Sequence, residues 1–116
     1  MSKSLHHQVI ARAREIITDP ERWTQGELAV SNMGTPVEPG DDVAARFCAV
    51  GALARAASDL TQNVFAARVL TNDVHLTLLS FAQISASVTL ASINDARHGQ
   101  PAVLKLFDDY LKANSA

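Results

Sequence analysis

From residue 5 to residue 18 the apolar positions Leu5, Val9, Ala13, Ile16 and Ile17 fall at steps of three and four, while Arg12, Arg14 and Glu15 lie off that stripe. This spacing predicts an amphipathic helix with one buried face. The helix should stop near Asp19-Pro20, because the residue before a proline is pushed out of helical geometry, and Asp19 can then cap a short turn opened by Pro20. Trp23 follows on that turn. Between 25 and 42 the periodicity disappears: Gly26, Gly34, Pro36, Pro39 and Gly40 punctuate the segment, and only residues 27–31 have strand character. The reading is a long loop. It can hold a small hairpin that turns at Asn32-Met33-Gly34 and returns along Pro36-Val37-Glu38.

Helical spacing resumes after Asp41-Asp42, whose carboxylates suit a helix start, and runs to about Asp59. Ala45, Ala49, Ala52 and Ala56 form one row of small residues, and Ala44, Cys48 and Gly51 another. Such rows let a neighbouring helix approach closely, which accounts for a glycine in a helix interior. Thr61 is placed to cap a further short helix with the stripe Val64, Ala67 and Leu70, ending at the turn signal Thr71-Asn72-Asp73. In the following segment, 74–93, Leu76, Leu79, Gln83, Ala86, Leu90 and Ile93 suit a helical face, whereas 85–90 alternates like a strand. Helix is preferred, since no matching long strand exists to pair with it. A final helix starts after Arg97-His98-Gly99-Gln100 with Pro101 in its first turn. It carries Val103, Leu104, Phe107, Tyr110 and Leu111 on one side, with Lys105 and Asp109 spaced to pair on the other.

The expected fold is mainly α, a compact bundle of four to five helices. The second helix is central, and a Gly/Pro-rich loop or small β-hairpin lies between helices 1 and 2. A chain of 116 residues with 47% apolar and 19% charged residues fits one domain spanning 1–116, with a core that needs no metal or disulfide staple. Ten Lys and Arg against twelve Asp and Glu give a net charge of −2, with the arginines spread along the chain, so a nucleic-acid partner is not expected. Cys48 is the only cysteine, which excludes an internal disulfide and a multi-thiolate zinc site within one chain, and favours a cytoplasmic setting. No secretory signal or membrane-spanning run is read, and Glu15 and Asp19 count against a transit peptide.

Candidate chemistry is sparse. Cys48 has the residue type of a nucleophile, and His98 with Asn94 or Asp95 would complete the residue types of a thiol hydrolase. The plainer reading makes Cys48 a small buried hydrophobe about two turns inside its helix, and Asn94 or Asp95 a cap on backbone groups. Trp23 either lines a ligand pocket or closes the core with its indole N–H bonded to backbone. His6 and His7 are adjacent, cannot clamp one metal, and are read as solvated; His75, near a helix start, and His98 lack partners at ligand spacing. No metal or cofactor is therefore expected. Gly34 and Gly40 do not form a phosphate-binding loop.

Trp23-Thr24-Gln25-Gly26, then Ala45 through Leu53 with its Cys-Ala-x-Gly-Ala core, then Ile93-Asn94-Asp95 and Val103-Leu104, together resemble a family of small bacterial and phage proteins of unknown function. The resemblance spans most of the chain. Phe47 stands where that family often has tryptophan. The resemblance implies a fold unit and brings no activity with it. The expected function is a small non-catalytic binding or accessory module, its long loop presenting a recognition surface to a protein or small-molecule partner, with Trp23, Asn94 and Asp95 as candidate binding residues. The alternative is a cysteine-dependent hydrolase or transferase with Cys48 as nucleophile, His98 as base and Asn94 or Asp95 as orienter. A third possibility is a homo-oligomer joined through the alanine-rich face of the second helix, should the core leave that face free.

Overall fold

A computed structural model describes residues 4–83 and 89–114. Helix α1 (Leu5–Thr18) starts where the Ser4 side chain accepts from the His7 N–H, and it buries Val9, Ile10, Ala13, Ile16 and Ile17. The larger of these side chains contribute roughly 1.5–3 kcal/mol each on leaving water, which is why the stripe fixes this helix. Asp19 then caps the 3₁₀ turn Pro20–Arg22 by accepting from the Glu21 N–H, as the sequence predicts.

The loop after Trp23 folds into strand β1 (Ala29–Val30), which pairs antiparallel with β2 (Arg46–Phe47), Ala29 opposite Phe47 and Val30 opposite Arg46. The predicted return arm is also present as a single bridge, Val30 to Pro36, with the Val37 N–H donating to Ala29 O and a turn closed from Gly34 N–H to Ser31 O. Residues 29–30 are thus bordered on both sides. This pairing corrects the second helix, which was expected from Asp41-Asp42. Arg46 and Phe47 are held extended by β1, Trp23 bridges Phe47 in parallel, and Asp41 caps only a local turn at the Val43 N–H. Helix α2 therefore spans Ala49–Thr61, with Cys48 as its N-cap rather than two turns inside it.

Helix α3 (Val64–Phe81) is capped by Asn63, whose Oδ1 accepts from the Ala66 N–H. It runs through Asn72-Asp73 without the expected break. Both side chains point outward and are exposed, while Ala67, Leu70, Val74 and Leu78 continue one buried stripe beneath them. The long helix expected over 74–93 is divided: α3 closes at Ala82, residues 84–88 lie outside the described residues, and α4 (Leu90–Asp95) starts afresh with Thr89 accepting from the Ser92 N–H. The strand-or-helix question is settled as helix only from Leu90 onward. Helix α5 (Gly99–Ala113) buries Gly99, Val103, Phe107 and Tyr110, and Lys105 pairs with Asp109 at 2.6 Å on its wet side.

The result is a mainly α, compact five-helix bundle with the small β1–β2 pair between α1 and α2. Its radius of gyration is 13.1 Å, close to the about 13 Å of a compact chain of this length. Helix α2 is central, packing on α1, α3 and α4. Its alanine face, Ala49, Ala52, Ala56 and Ala57, is fully buried in the chain's own core, so it is not available for self-association. Surface ion pairs Arg12–Asp59 and Arg14–Asp108 tie α1 to α2 and to α5. His6 and His7 are half-buried rather than solvated: His6 Nδ1 lies 3.3 Å from Thr77 Oγ1, and His7 Nδ1 is enclosed without a partner among the described residues. His75 sits in the middle of α3 instead of at a helix start.

Gly51 faces the incoming loop backbone, not a neighbouring helix. A Cβ added there would lie 1.7 Å from Leu28 O. Alanine at this position would improve helix propensity by about 1 kcal/mol, yet the contact is with backbone held by the Cys48 N–H to Leu28 O bond and cannot swing aside. Gly51→Ala is therefore expected to destabilise the fold by about 3 kcal/mol net, read as a lower midpoint in urea unfolding.

Candidate functional site

Three segments far apart in sequence meet at the N-terminal end of α2. The Asn94 side chain, fully buried in α4, accepts at Oδ1 from the Trp23 indole N–H (2.8 Å) and from the Ala49 N–H (2.9 Å). Its Nδ2 donates to Thr24 O and to Asp95 Oδ1, both at 3.0 Å. All four hydrogen-bonding positions of the amide are filled, which is the condition for burying such a group without penalty. Asp95 Oδ1 also accepts from the Gly26 N–H, and Gln25 Nε2 donates to the carbonyls of Asn94 and Ala96 at the end of α4. Gly26 turns the chain here with φ +83°, a conformation that favours glycine. Gly99 permits the tight turn from α4 into α5, since a Cβ there would lie 1.8 Å from Asn94 O.

Cys48 belongs to this knot. Its side chain is buried, and Sγ accepts from the Gly51 N–H at 3.3 Å, capping α2. A helix N-terminus ordinarily favours a thiolate. Here burial outweighs that effect and pushes the Cys48 thiol above its usual pKa, with the nearby Asp95 charge adding to the rise, against the N–H groups of Gly51, Val50 and Cys48 itself. His98 is exposed at the start of α5, and no hydrogen bond joins it to Cys48, Asn94 or Asp95 among the described residues. The structure thus brings together Trp23, Cys48, Asn94 and Asp95 and leaves His98 outside. Asn94 and Asp95 cap backbone groups, and the Trp23 indole bonds to a side chain where a backbone partner was expected.

The neighbouring Phe47 is fully buried beside two cations, with the Arg22 and Arg55 guanidinium carbons 5.9 and 5.8 Å from its ring centre. Arg55 also donates to Pro39 O and Asp41 O and pairs with Asp59, so it fixes the 39–41 loop against α2.

On the other side of that loop lies a cleft of about 620 Å³ between α2 and α3. Its walls are Leu28, Pro39 and Gly40 from the loop, Val50, Ala54 and Ser58 along α2, and Val64, Arg68, Thr71 and His75 along α3. Sequence reasoning did not single out these residues as a site. The available signal was two rows at four- and three-residue steps, 50-54-58 and 64-68-71-75, but it becomes a cleft only once α2 and α3 are known to be neighbours. His75 Nε2 accepts from the Leu90 N–H at 3.4 Å, and burial lowers the imidazole pKa. Among the described residues no group of three or more His, Cys, Asp or Glu side chains could hold a metal ion, and no helix is long and apolar enough to cross a membrane.

The sequence model of a family of unknown function, DUF6197, matches residues 1–112. No curated protein and no solved structure matches the chain.

The raised thiol pKa and the buried sulfur set an expectation for reactivity. Alkylation of Cys48 by iodoacetamide at pH 7.5 should be at least about 100-fold slower in the folded protein than in denaturant. The folded-state rate should still climb with pH beyond the ordinary thiol range. Rapid, selective labelling of native protein at neutral pH would show a poised thiolate instead.

Proposed function

We propose that this chain, which belongs to the DUF6197 family, is a small non-catalytic binding protein whose ligand site is the cleft between α2, α3 and the 38–40 loop. The observation that carries this reading is the cleft itself: about 620 Å³, within the size range of small-molecule sites. Leu28, Val50, Ala54, Val64 and Ala67 provide apolar surface, and Glu38, Ser58, Arg68, Thr71, Asn72 and His75 line the same cleft with polar groups. Arg55 holds the loop wall in place through two carbonyls, which supports a preformed site.

His75 supplies the polar handle. With its pKa lowered by burial and Nε2 engaged as an acceptor, the ring is neutral at pH 7 and carries its proton on Nδ1. The ligand class that fits is a small organic molecule with an apolar body and hydrogen-bond acceptors that meet His75 and Arg68. The burial of Cys48 and the engagement of Asn94 and Asp95 in capping weigh against the thiol-hydrolase alternative.

A fragment library screened by protein-observed NMR tests the proposal. Binders should shift the amide signals of α2 and of the first half of α3. An Ala54→Trp substitution, which fills the cleft from a half-buried position, should weaken them at least about tenfold. Binders confined to other surfaces would contradict the assignment. So would turnover of ester, amide or nucleoside substrates that Cys48→Ala abolishes.

A further inference from the structure

Helix α3 is apolar on two opposite sides. One side carries the buried stripe Ala67, Leu70, Val74 and Leu78. On the other, Phe65, Val69, Asn72, Leu76 and Leu79 follow one another at steps of four, three, four and three. That is the spacing of a coiled-coil seam, with one polar residue at its centre. Phe65 is 78% exposed, Val69 63% and Leu76 55%, a concentration of large apolar side chains on one helix face that the described residues leave uncovered.

We propose that α3 joins a second copy of this chain as a parallel two-helix seam. A face with this spacing is self-complementary: about a two-fold axis each seam residue meets its own counterpart, and Asn72 bonds to Asn72 across the axis, setting the register. The flanking charges select the parallel direction. Arg68 and Asp73 border the seam on opposite sides, five residues apart, both exposed and neither in an ion pair among the described residues. In a parallel pair this is the spacing at which Arg68 of one copy meets Asp73 of the other, twice by symmetry. In an antiparallel pair centred on Asn72 the two Asp73 carboxylates would approach each other, which is repulsive. The seam from Phe65 to Leu79 is about 21 Å long. Such a contact covers on the order of 600 Å² per partner, at the lower end for a specific interface, so the dimer is expected to be reversible.

Sedimentation equilibrium on the full chain from about 2 to about 200 µM tests this. The average mass should rise from one chain toward two. Val69→Glu and Leu76→Glu, both at exposed positions, should each weaken association at least tenfold while leaving the circular dichroism and the melting curve at low, monomeric concentration unchanged. Arg68→Glu should weaken it several-fold, and adding Asp73→Arg should restore it. A single-chain mass at every concentration would overturn the proposal, as would a dimer indifferent to Val69→Glu and Leu76→Glu. Failure of the charge reversal to restore association would overturn the parallel arrangement. Val69 and Leu76 lie outside the cleft lining, so the outcomes of their substitutions are read independently of cleft occupancy.

Discussion

The buried amide of Asn94 is the interaction on which the rest of the structure depends. A side chain with two lone pairs and two N–H groups can be enclosed only if each finds a partner, since a buried group left unpaired costs about 1–3 kcal/mol. Here the partners come from the Trp23 indole, Thr24, the first turn of α2 and Asp95. Meeting that demand dictates where the chain must pass after the 3₁₀ turn, where α2 begins, and how closely α4 approaches both. Gln25, Gly26 and Gly99 then follow as residues that let the backbones come together.

The same constraint accounts for what the polar residues do. Cys48, Asn94 and Asp95 have the residue types of a hydrolytic site, but each is engaged in holding backbone: Cys48 Sγ at Gly51, Asn94 at Ala49 and Thr24, and Asp95 Oδ1 at Gly26. Burial then raises the thiol pKa further from reactivity. What the knot leaves open lies across α2, where the loop pinned by Arg55 stands off from α3 and encloses the cleft, and beyond it on the outer face of α3.

The sequence was most legible where burial follows a helical period without competition. The bounds of α1 and its 3₁₀ turn, and the buried face of α5, were readable because periodicity and capping residues agreed there. The start of α2 was not, because residues 44–48 hold no helix breaker and are compatible with a helix, and only the pairing of Arg46 and Phe47 with residues 29–30 makes them extended. Asn72-Asp73 carried a turn signal that a continuous buried stripe on the other side of α3 overrode. Trp23, Cys48, Asn94 and Asp95 could each be picked out as notable residues. That they meet, and that His98 stays apart, depends on contacts between positions some 45 to 71 residues apart in the chain.

The most direct measurement of this dependence is the unfolding free energy of Asn94→Ala in urea. Removing the amide leaves the Trp23 indole N–H, the Ala49 N–H and Thr24 O without their partner in a buried space. The expected loss is about 3 kcal/mol or more, the scale of a major core defect. A change within about 0.5 kcal/mol, as for an ordinary surface substitution, would contradict the organising role assigned to Asn94.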